Sequence, residues 1–331
     1  MRETALTEHW FMRHGLPYFV DSERAAARRA LSARALVPTL LVALMLGTGA
    51  GILVGWLDGD ATNGTAAGSA VVGLVLTVYA ASALRAWPIA SWAVARTFRS
   101  LGLLFPLVTR ALPLLLLFIT FLFINTEVWQ VATSLKGGIL WGAVLLFATV
   151  AVGFLLVRLP EELDDVDDEI HGSRLVKSCE GTPLAPIMSR YVDGEEDLFD
   201  LAAETEITGF QKANLILVLL VSQFVQVLLL AVSVFVFFLV FGSIVMTDDV
   251  VASWIGHEPR SVVPGLPGPS VELTQVAVFL AAFSGLYFTV YAVTDEIYRR
   301  QFFTAVTDEL ERAVGVRAVY RAMKRQSTDA G

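Results

Sequence analysis

The sequence predicts an all-α fold: a polytopic transmembrane helical bundle with six spans and both termini in the cytoplasm. Hydrophobic residues make up 55% of the 331 residues and charged residues only 17%, and the mean hydropathy is +0.64. Soluble domains carry about a quarter charged residues. The charges are clustered, and the runs between the clusters reach the roughly 20 helical residues that cross a bilayer.

Six apolar runs are the predicted spans. A membrane β-barrel would alternate polar and apolar residues over short segments, which these runs do not, so helices are expected. In order, the runs are 36–57, 66–84, 111–134, 138–157, 213–247 and 273–293. The fifth would be about 52 Å long as one helix, which is too short for two spans and a turn. We therefore predict a single long helix that begins at the cytoplasmic interface.

The positions of lysine and arginine set the predicted orientation. With six spans, 22 of the 24 basic residues fall on one side of the membrane, and only Lys136 and Arg260 fall on the other. Basic residues concentrate on the cytoplasmic side of membrane proteins. Both chain ends are then cytoplasmic, and the expected location is a bacterial cytoplasmic membrane. No cleavable signal peptide is recognised in the first 35 residues.

This map divides the chain into five segments. They are a cytoplasmic N-terminal segment (1–35), four spans with an interfacial segment 85–110 (36–157), an acidic cytoplasmic insert (158–212), two spans with an outer loop 248–272 (213–293), and a cytoplasmic C-terminal helix (294–331).

The stretch FLFINTEVWQ (121–130) places a carboxylate at the end of the third predicted span. Glu127 would lie about 24 Å along a helix that starts at residue 111, close to the outer boundary, where Trp129 suits an interfacial belt. One interpretation is a carboxylate wetted at the outer rim. The other is a solute or ion contact inside the bundle, shared with Asn125.

Small residues at four-residue spacing predict close helix packing, because they let backbones approach in a membrane. In the first and second spans they favour a tight helical hairpin, with a homodimer face as the alternative. The residues are Gly47, Gly51 and Gly55 in the first span, Gly68 in the second, and Ala281 and Gly285 in the sixth. On the fifth span, Ser222, Gln223 and Gln226 share one side. Hydrogen bonds between helices or a polar pathway would explain them.

Several segments outside the spans also have expected structures. Residues 21–35 should form a helix with Arg24, Arg28 and Arg29 beside anionic headgroups, and 85–110 should lie on the inner leaflet. The insert carries 15 acidic and five basic residues. It lacks the spacing of an EF-hand, so a solvated, partly disordered acidic segment is expected. The tail should be a helix that docks on the insert or the bundle, or that self-associates.

No motif for catalysis or for phosphate or metal binding occurs in the sequence. We therefore expect no enzyme, no catalytic residues, no cofactor and no metal, and no nucleic-acid partner. The expected partners are the lipid bilayer and a membrane or cytoplasmic protein, or a second copy of the chain.

Two stretches, HWFMRHGLPYFV (9–20) and RALPLLLLFITFLFINTEVWQVA (110–132), resemble a family of multi-pass membrane proteins from actinobacteria. The resemblance implies an integral membrane protein and implies no activity. Two function classes follow from the residues. One is a non-catalytic scaffold or regulatory subunit that acts through its cytoplasmic faces. The other is a small-solute or ion transporter or channel that uses Asn125, Glu127, Gln223 and Gln226.

Overall fold

All regular elements in the described part of the chain are helices. The computed structural model describes residues 2–59, 61–135, 138–169, 177–186, 188, 209–262, 268–294 and 311–324. The helices are α1 (Arg2–Arg13), α2 (Asp21–Ala30), α3 (Ala33–Asp58), α4 (Ala61–Ala83), α5 (Ala86–Phe123), α6 (Thr126–Ser134), α7 (Gly138–Glu169), α8 (Phe210–Val245), α9 (Asp248–Ile255), α10 (Val271–Thr294) and α11 (311–324). A 3₁₀ turn, Pro17–Phe19, joins α1 to α2. The predicted all-α class is confirmed for this part of the chain.

Five helices are long and apolar enough to cross a membrane: α3, α4, α7, α8 and α10. The bent pair α5–α6 makes six if it is counted as one span. The fifth predicted run is confirmed as one uninterrupted helix of 36 residues. A chain with this many apolar helices is a multi-pass membrane protein. In water so much uncovered apolar helix surface would be costly, whereas the hydrocarbon core of a bilayer accommodates it.

The third predicted span is wrong as a continuous helix. Its first helix ends at Phe123, a second begins at Thr126, and the two axes differ by 77°. The axial position calculated for Glu127 therefore does not hold. Residues 86–110 of the predicted interfacial segment belong to the same helix, Ala86–Phe123.

Three further boundaries differ from the prediction. The acidic run 161–169 is helical rather than disordered, because α7 continues past Pro160 to Glu169. The predicted helix 21–35 is broken between Ala30 and Ala33. The outer loop begins with α9, whose N-terminal aspartates favour a helix start. Residues 170–176, 187 and 189–208 of the acidic insert lie outside the described residues, as do residues 295–310 and 325–331 of the C-terminal segment.

The chain forms two compact units. The first contains residues 1–99, 158–222 and 303–331, and the second contains residues 100–157 and 223–302. Helices α5, α7 and α8 run through both.

In the first unit, α3 and α4 form a hairpin that crosses at its glycines. A Cβ atom built on Gly47 would lie 2.8 Å from the carbonyl oxygen of Gly68, and one on Gly51 would lie 2.9 Å from that of Gly64. Gly55 approaches Gly64 on the same face. Only glycine permits these contacts between backbones. Away from this crossing the hairpin is open: 11% of the apolar window of α3 and 6% of that of α4 are buried.

The second unit is packed mainly through aromatic and aliphatic side chains. Phe123 stacks on Phe238 with ring centroids 4.8 Å apart, and Phe147 lies edge-on against Phe279 and Phe283. The small residues of α10 face α8: a Cβ on Gly285 would lie 3.3 Å from Cγ1 of Val227. Ala281, one turn away on α10, is 6% exposed.

We predict that Gly47→Leu destabilises the hairpin. The added side chain must displace the backbone of α4 near Gly68, and overpacking of this kind costs about 1–3 kcal/mol or more. The free energy of unfolding in detergent titrations measures the loss. Gly49→Leu is the matched control, because no atom lies within 4 Å of a Cβ at Gly49. Equal destabilisation by both variants would contradict the close packing of α3 and α4 at their glycines.

Candidate functional site

In the first unit, segments near both chain ends pack around the start of α8. We call this structure the terminal cap, and it consists of α1, Pro17–Phe19, α2, α11 and residues 210–222 of α8. Aromatic rings join these segments. Phe11 contacts Phe19 at 5.3 Å and Tyr320 at 5.7 Å between ring centroids, and Tyr18 lies 5.9 Å from Phe210. Phe11 and Phe19 are essentially fully buried. The cap therefore has an apolar core of its own.

Helix α11 is the central element of the cap. Its residues 313–320 are all buried, eight in succession. A helix on a protein surface leaves one side in water at each turn, whereas a helix covered all round lies in a core. The predicted C-terminal helix is thus inserted into the first unit rather than resting on it.

A buried arginine connects α11 to the start of α8. Arg317 is 2% exposed, and its Nε donates a hydrogen bond of 2.8 Å to Oε1 of Gln211. A buried guanidinium is costly to desolvate and must keep its hydrogen bonds. Gln211 is itself 4% exposed. This pair fixes the rotation of α11 about its axis against α8.

Asn214 fixes the N-terminal segment to the same part of α8. Its Nδ2 donates to the carbonyl oxygen of Gly15 at 2.8 Å, and its Oδ1 accepts from the backbone N–H of Tyr18 at 3.0 Å. The side chain is fully buried. It satisfies two backbone groups in the turn after α1 that would otherwise be buried without partners. Gly15 has φ +70° and lies against Trp92, so this turn requires glycine.

The corner between α4 and α5 is held by two contacts from the N-terminal segment. The hydroxyl of Tyr18 donates to the carbonyl oxygen of Leu84 at 2.5 Å. The guanidinium of Arg85 binds both carboxylate oxygens of Glu23, at 2.8 and 3.3 Å. Arg85 has φ +53°, a conformation that costs a residue with a side chain about 1 kcal/mol or more. The two contacts hold the corner in this conformation.

Polar contacts also join α11 to α1 and α2. Tyr320 donates to Oε1 of Glu8 at 2.7 Å, and Lys324 pairs with Asp21. Burial, and then the Glu8 carboxylate, raise the pKa of Tyr320 above its ordinary value. The pKa of Asp21 is lowered: partial burial opposes this, but Lys324 and Arg24 together outweigh it. The ion pair of Lys324 with Asp21 is exposed and adds little stability by itself.

The helix break at residues 124–125 satisfies its own backbone groups. Asn125 is the N-cap of α6, and its Oδ1 accepts from the N–H groups of Glu127 at 2.8 Å and Val128 at 3.2 Å. The indole of Trp129, fully buried, donates to the carbonyl oxygen of Phe123 at 2.7 Å. Helix ends in a membrane need such partners. Asn125 thus begins a helix, and Glu127 lies exposed in its first turn, where a carboxylate is favourable.

The residues predicted as polar contacts fall into two separate places. Asn125 and Glu127 are exposed at the break, whereas Ser222, Gln223 and Gln226 are buried on α8. Phe123, beside the break, stacks on Phe238, which lies 12 residues beyond Gln226 and therefore about 18 Å farther along α8. The two groups do not form one site. The Oε1 atom of Gln226 is buried and accepts no hydrogen bond.

Gln211, Asn214 and Arg317 are site residues that the sequence did not predict. A signal was present for the first two, because they are polar residues beside the start of the long uncharged run 213–247. Within the described ranges, no group of three or more His, Cys, Asp or Glu side chains is arranged to hold a metal ion.

Comparison with protein-family models, with curated proteins and with solved structures gave no match.

We predict that Cys179 reports the integrity of the first unit. The thiol is fully buried, and burial raises its pKa to about 11. Since the thiolate is the reactive form, alkylation near neutral pH should be very slow in the folded chain. Asn214→Ala removes two buried hydrogen bonds at a cost of about 1–3 kcal/mol, and alkylation of Cys179 should become faster.

Ser243→Ala is the control on the same helix, because the Ser243 hydroxyl is exposed and only donates to the carbonyl oxygen of Leu239. Alkylation that is fast in the unchanged chain, or equally slow in both variants, would contradict the role given to Asn214.

Proposed function

We propose that this protein is a non-catalytic membrane scaffold or regulatory subunit that crosses a bacterial cytoplasmic membrane six times and works through its cytoplasmic faces. The observation that supports this most is the terminal cap. Both chain ends are built into one packed structure around the start of α8, with α11 buried at residues 313–320. Such a cap gives a membrane protein a defined surface for a cytoplasmic partner.

The apolar helices support the same proposal. In the five candidate spans, charged side chains stand only near the helix ends, and α4 has none. They are Arg34 in α3, Arg158 and Glu161 in α7, Lys212 in α8 and Glu272 in α10. A proton or ion relay through the membrane uses ionisable side chains in the helix interior. Transporters also place broken helices so that free helix ends face a substrate. Here the break at 124–125 is closed by Asn125 and Trp129.

One observation favours the transporter as a second candidate. Gln226 is 7% exposed and its side-chain oxygen accepts no hydrogen bond. An unsatisfied buried amide is costly in an apolar surrounding and is suited to receive a donor from a small polar solute. This candidate is second because Asn125 and Glu127 lie about 18 Å from Gln226 along the axis of α8.

Affinity purification of the full chain from membranes tests the scaffold proposal. We expect a partner protein, or further copies of the chain, in stoichiometric amount. Asn214→Ala, which loosens the cap, should reduce the recovered partner at least fivefold while the chain stays in the membrane, and Ser243→Ala should recover the unchanged amount.

The contradictory result is a purified chain with neither partner nor self-assembly. Solute flux into liposomes containing the chain, abolished by Gln226→Ala, would establish the second candidate instead.

A further inference from the structure

The base of the α3–α4 hairpin carries arginines next to exposed apolar side chains. We call this surface the hairpin foot: residues 28–37, where α2 meets α3, and residues 85–87, where α4 meets α5. The two parts are neighbours, because the hydroxyl of Tyr79 near the end of α4 donates to the carbonyl oxygen of Ala30 at 2.7 Å. Trp87 is 69% exposed, as suits an aromatic residue at the level of lipid headgroups.

Positive charge at the foot exceeds the acidic partners available. Asp21 pairs with Arg24 and Lys324, and Glu23 pairs with Arg85. The sequence has no further acidic residue before Asp58. Among the described residues, no carboxylate pairs with Arg29 or Arg34, and both side chains are exposed. Arg28 lies 5.4 Å over the ring of Phe210, a contact that leaves its charge in place.

An apolar track leads from these arginines along α3. Arg34, Val37 and Leu41 recur at spacings of three and four, so they share one side of the helix. Val37 is 52% exposed and Leu41 is 62% exposed. The track continues to Leu44 and Thr48, which line a groove of about 690 Å³ between α3 and α4. Leu44 lies about 15 Å above Arg34, the depth of one leaflet of a bilayer.

We propose that the hairpin foot binds an anionic phospholipid. Arg29 and Arg34 donate hydrogen bonds to the phosphate oxygens of the headgroup, a geometry that guanidinium groups favour. One acyl chain lies over Val37 and Leu41 and ends at the groove. The surface combines unmatched cations with an exposed apolar track of one leaflet's depth, and this combination fits a ligand with an anionic head and a hydrocarbon tail.

Native mass spectrometry of the detergent-solubilised full chain tests the proposal. The chain is titrated with phosphatidylglycerol and, separately, with zwitterionic phosphatidylcholine. Arg29→Gln combined with Arg34→Gln should weaken phosphatidylglycerol binding about 20- to 30-fold, from about fivefold per charge. Binding of phosphatidylcholine should not change. Arg29→Lys combined with Arg34→Lys should keep most of the affinity for phosphatidylglycerol.

The matched control is Arg13→Gln combined with Arg312→Gln. It removes two exposed arginines that belong to α1 and α11 rather than to the foot. Slow alkylation of Cys179 in each variant verifies that the first unit remains folded.

Three results would overturn the proposal. The first is unchanged phosphatidylglycerol binding in the double glutamine variant. The second is an equal loss in the control, which would indicate general charge attraction. The third is displacement of the lipid by glycerol phosphate at concentrations equal to those of the lipid, which would indicate a phosphate site that makes no use of the acyl chains.

Discussion

Backbone polar groups inside a hydrocarbon layer have no water to bond, and this constraint explains most of what the chain does in its apolar regions. The apolar runs are helical, because a helix pairs its own amides and carbonyls. Where a helix stops at Phe123, side chains replace the missing partners: Asn125 accepts from two N–H groups and Trp129 donates to a carbonyl oxygen. Where α3 and α4 cross, glycines allow their backbones to come into contact.

Polarity changes along α8, and this change organises the first unit. The start of the helix carries Gln211 and Asn214, which bind α11 and the turn after α1. Farther along, aromatic and aliphatic side chains such as Val234 and Phe238 are fully buried. One helix thus supplies both the polar anchor of the terminal cap and apolar packing in the second unit. The buried hydrogen bonds of the cap connect residues distant in sequence, which makes its assembly dependent on the whole chain.

Local patterns in the sequence predicted the helices and several of their contacts. Hydropathy located α3, α4, α8 and α10 within about five residues at each end, and four-residue spacing indicated the glycines at which α3 and α4 cross. The length of the fifth apolar run, too short for two spans and a turn, predicted that α8 is unbroken. These features depend on neighbours in the chain, and such neighbours are visible in a single sequence.

Other features depend on contacts that a single sequence does not contain. The apolar pattern of 111–134 continues through the break, and only the short signal Asn125-Thr126-Glu127, an N-cap followed by an acidic residue, marks a new helix. Asn214 and Tyr18 are 196 residues apart, and no local pattern connects them. No local pattern distinguishes Arg317 from the other arginines of the tail, and its burial follows from the packing of α11 against α1 and the start of α8.

The central proposal is that the apolar helices cross the membrane an even number of times, so that both chain ends and most arginines share one side. Single cysteines at Ala5, Ser134, Glu258 and Arg312, all exposed positions, test it in a Cys179→Ser background. With a membrane-impermeant thiol reagent on intact cells, positions 134 and 258 should react, and positions 5 and 312 should react only after permeabilisation. Reaction of position 5 or 312 in intact cells would contradict the account.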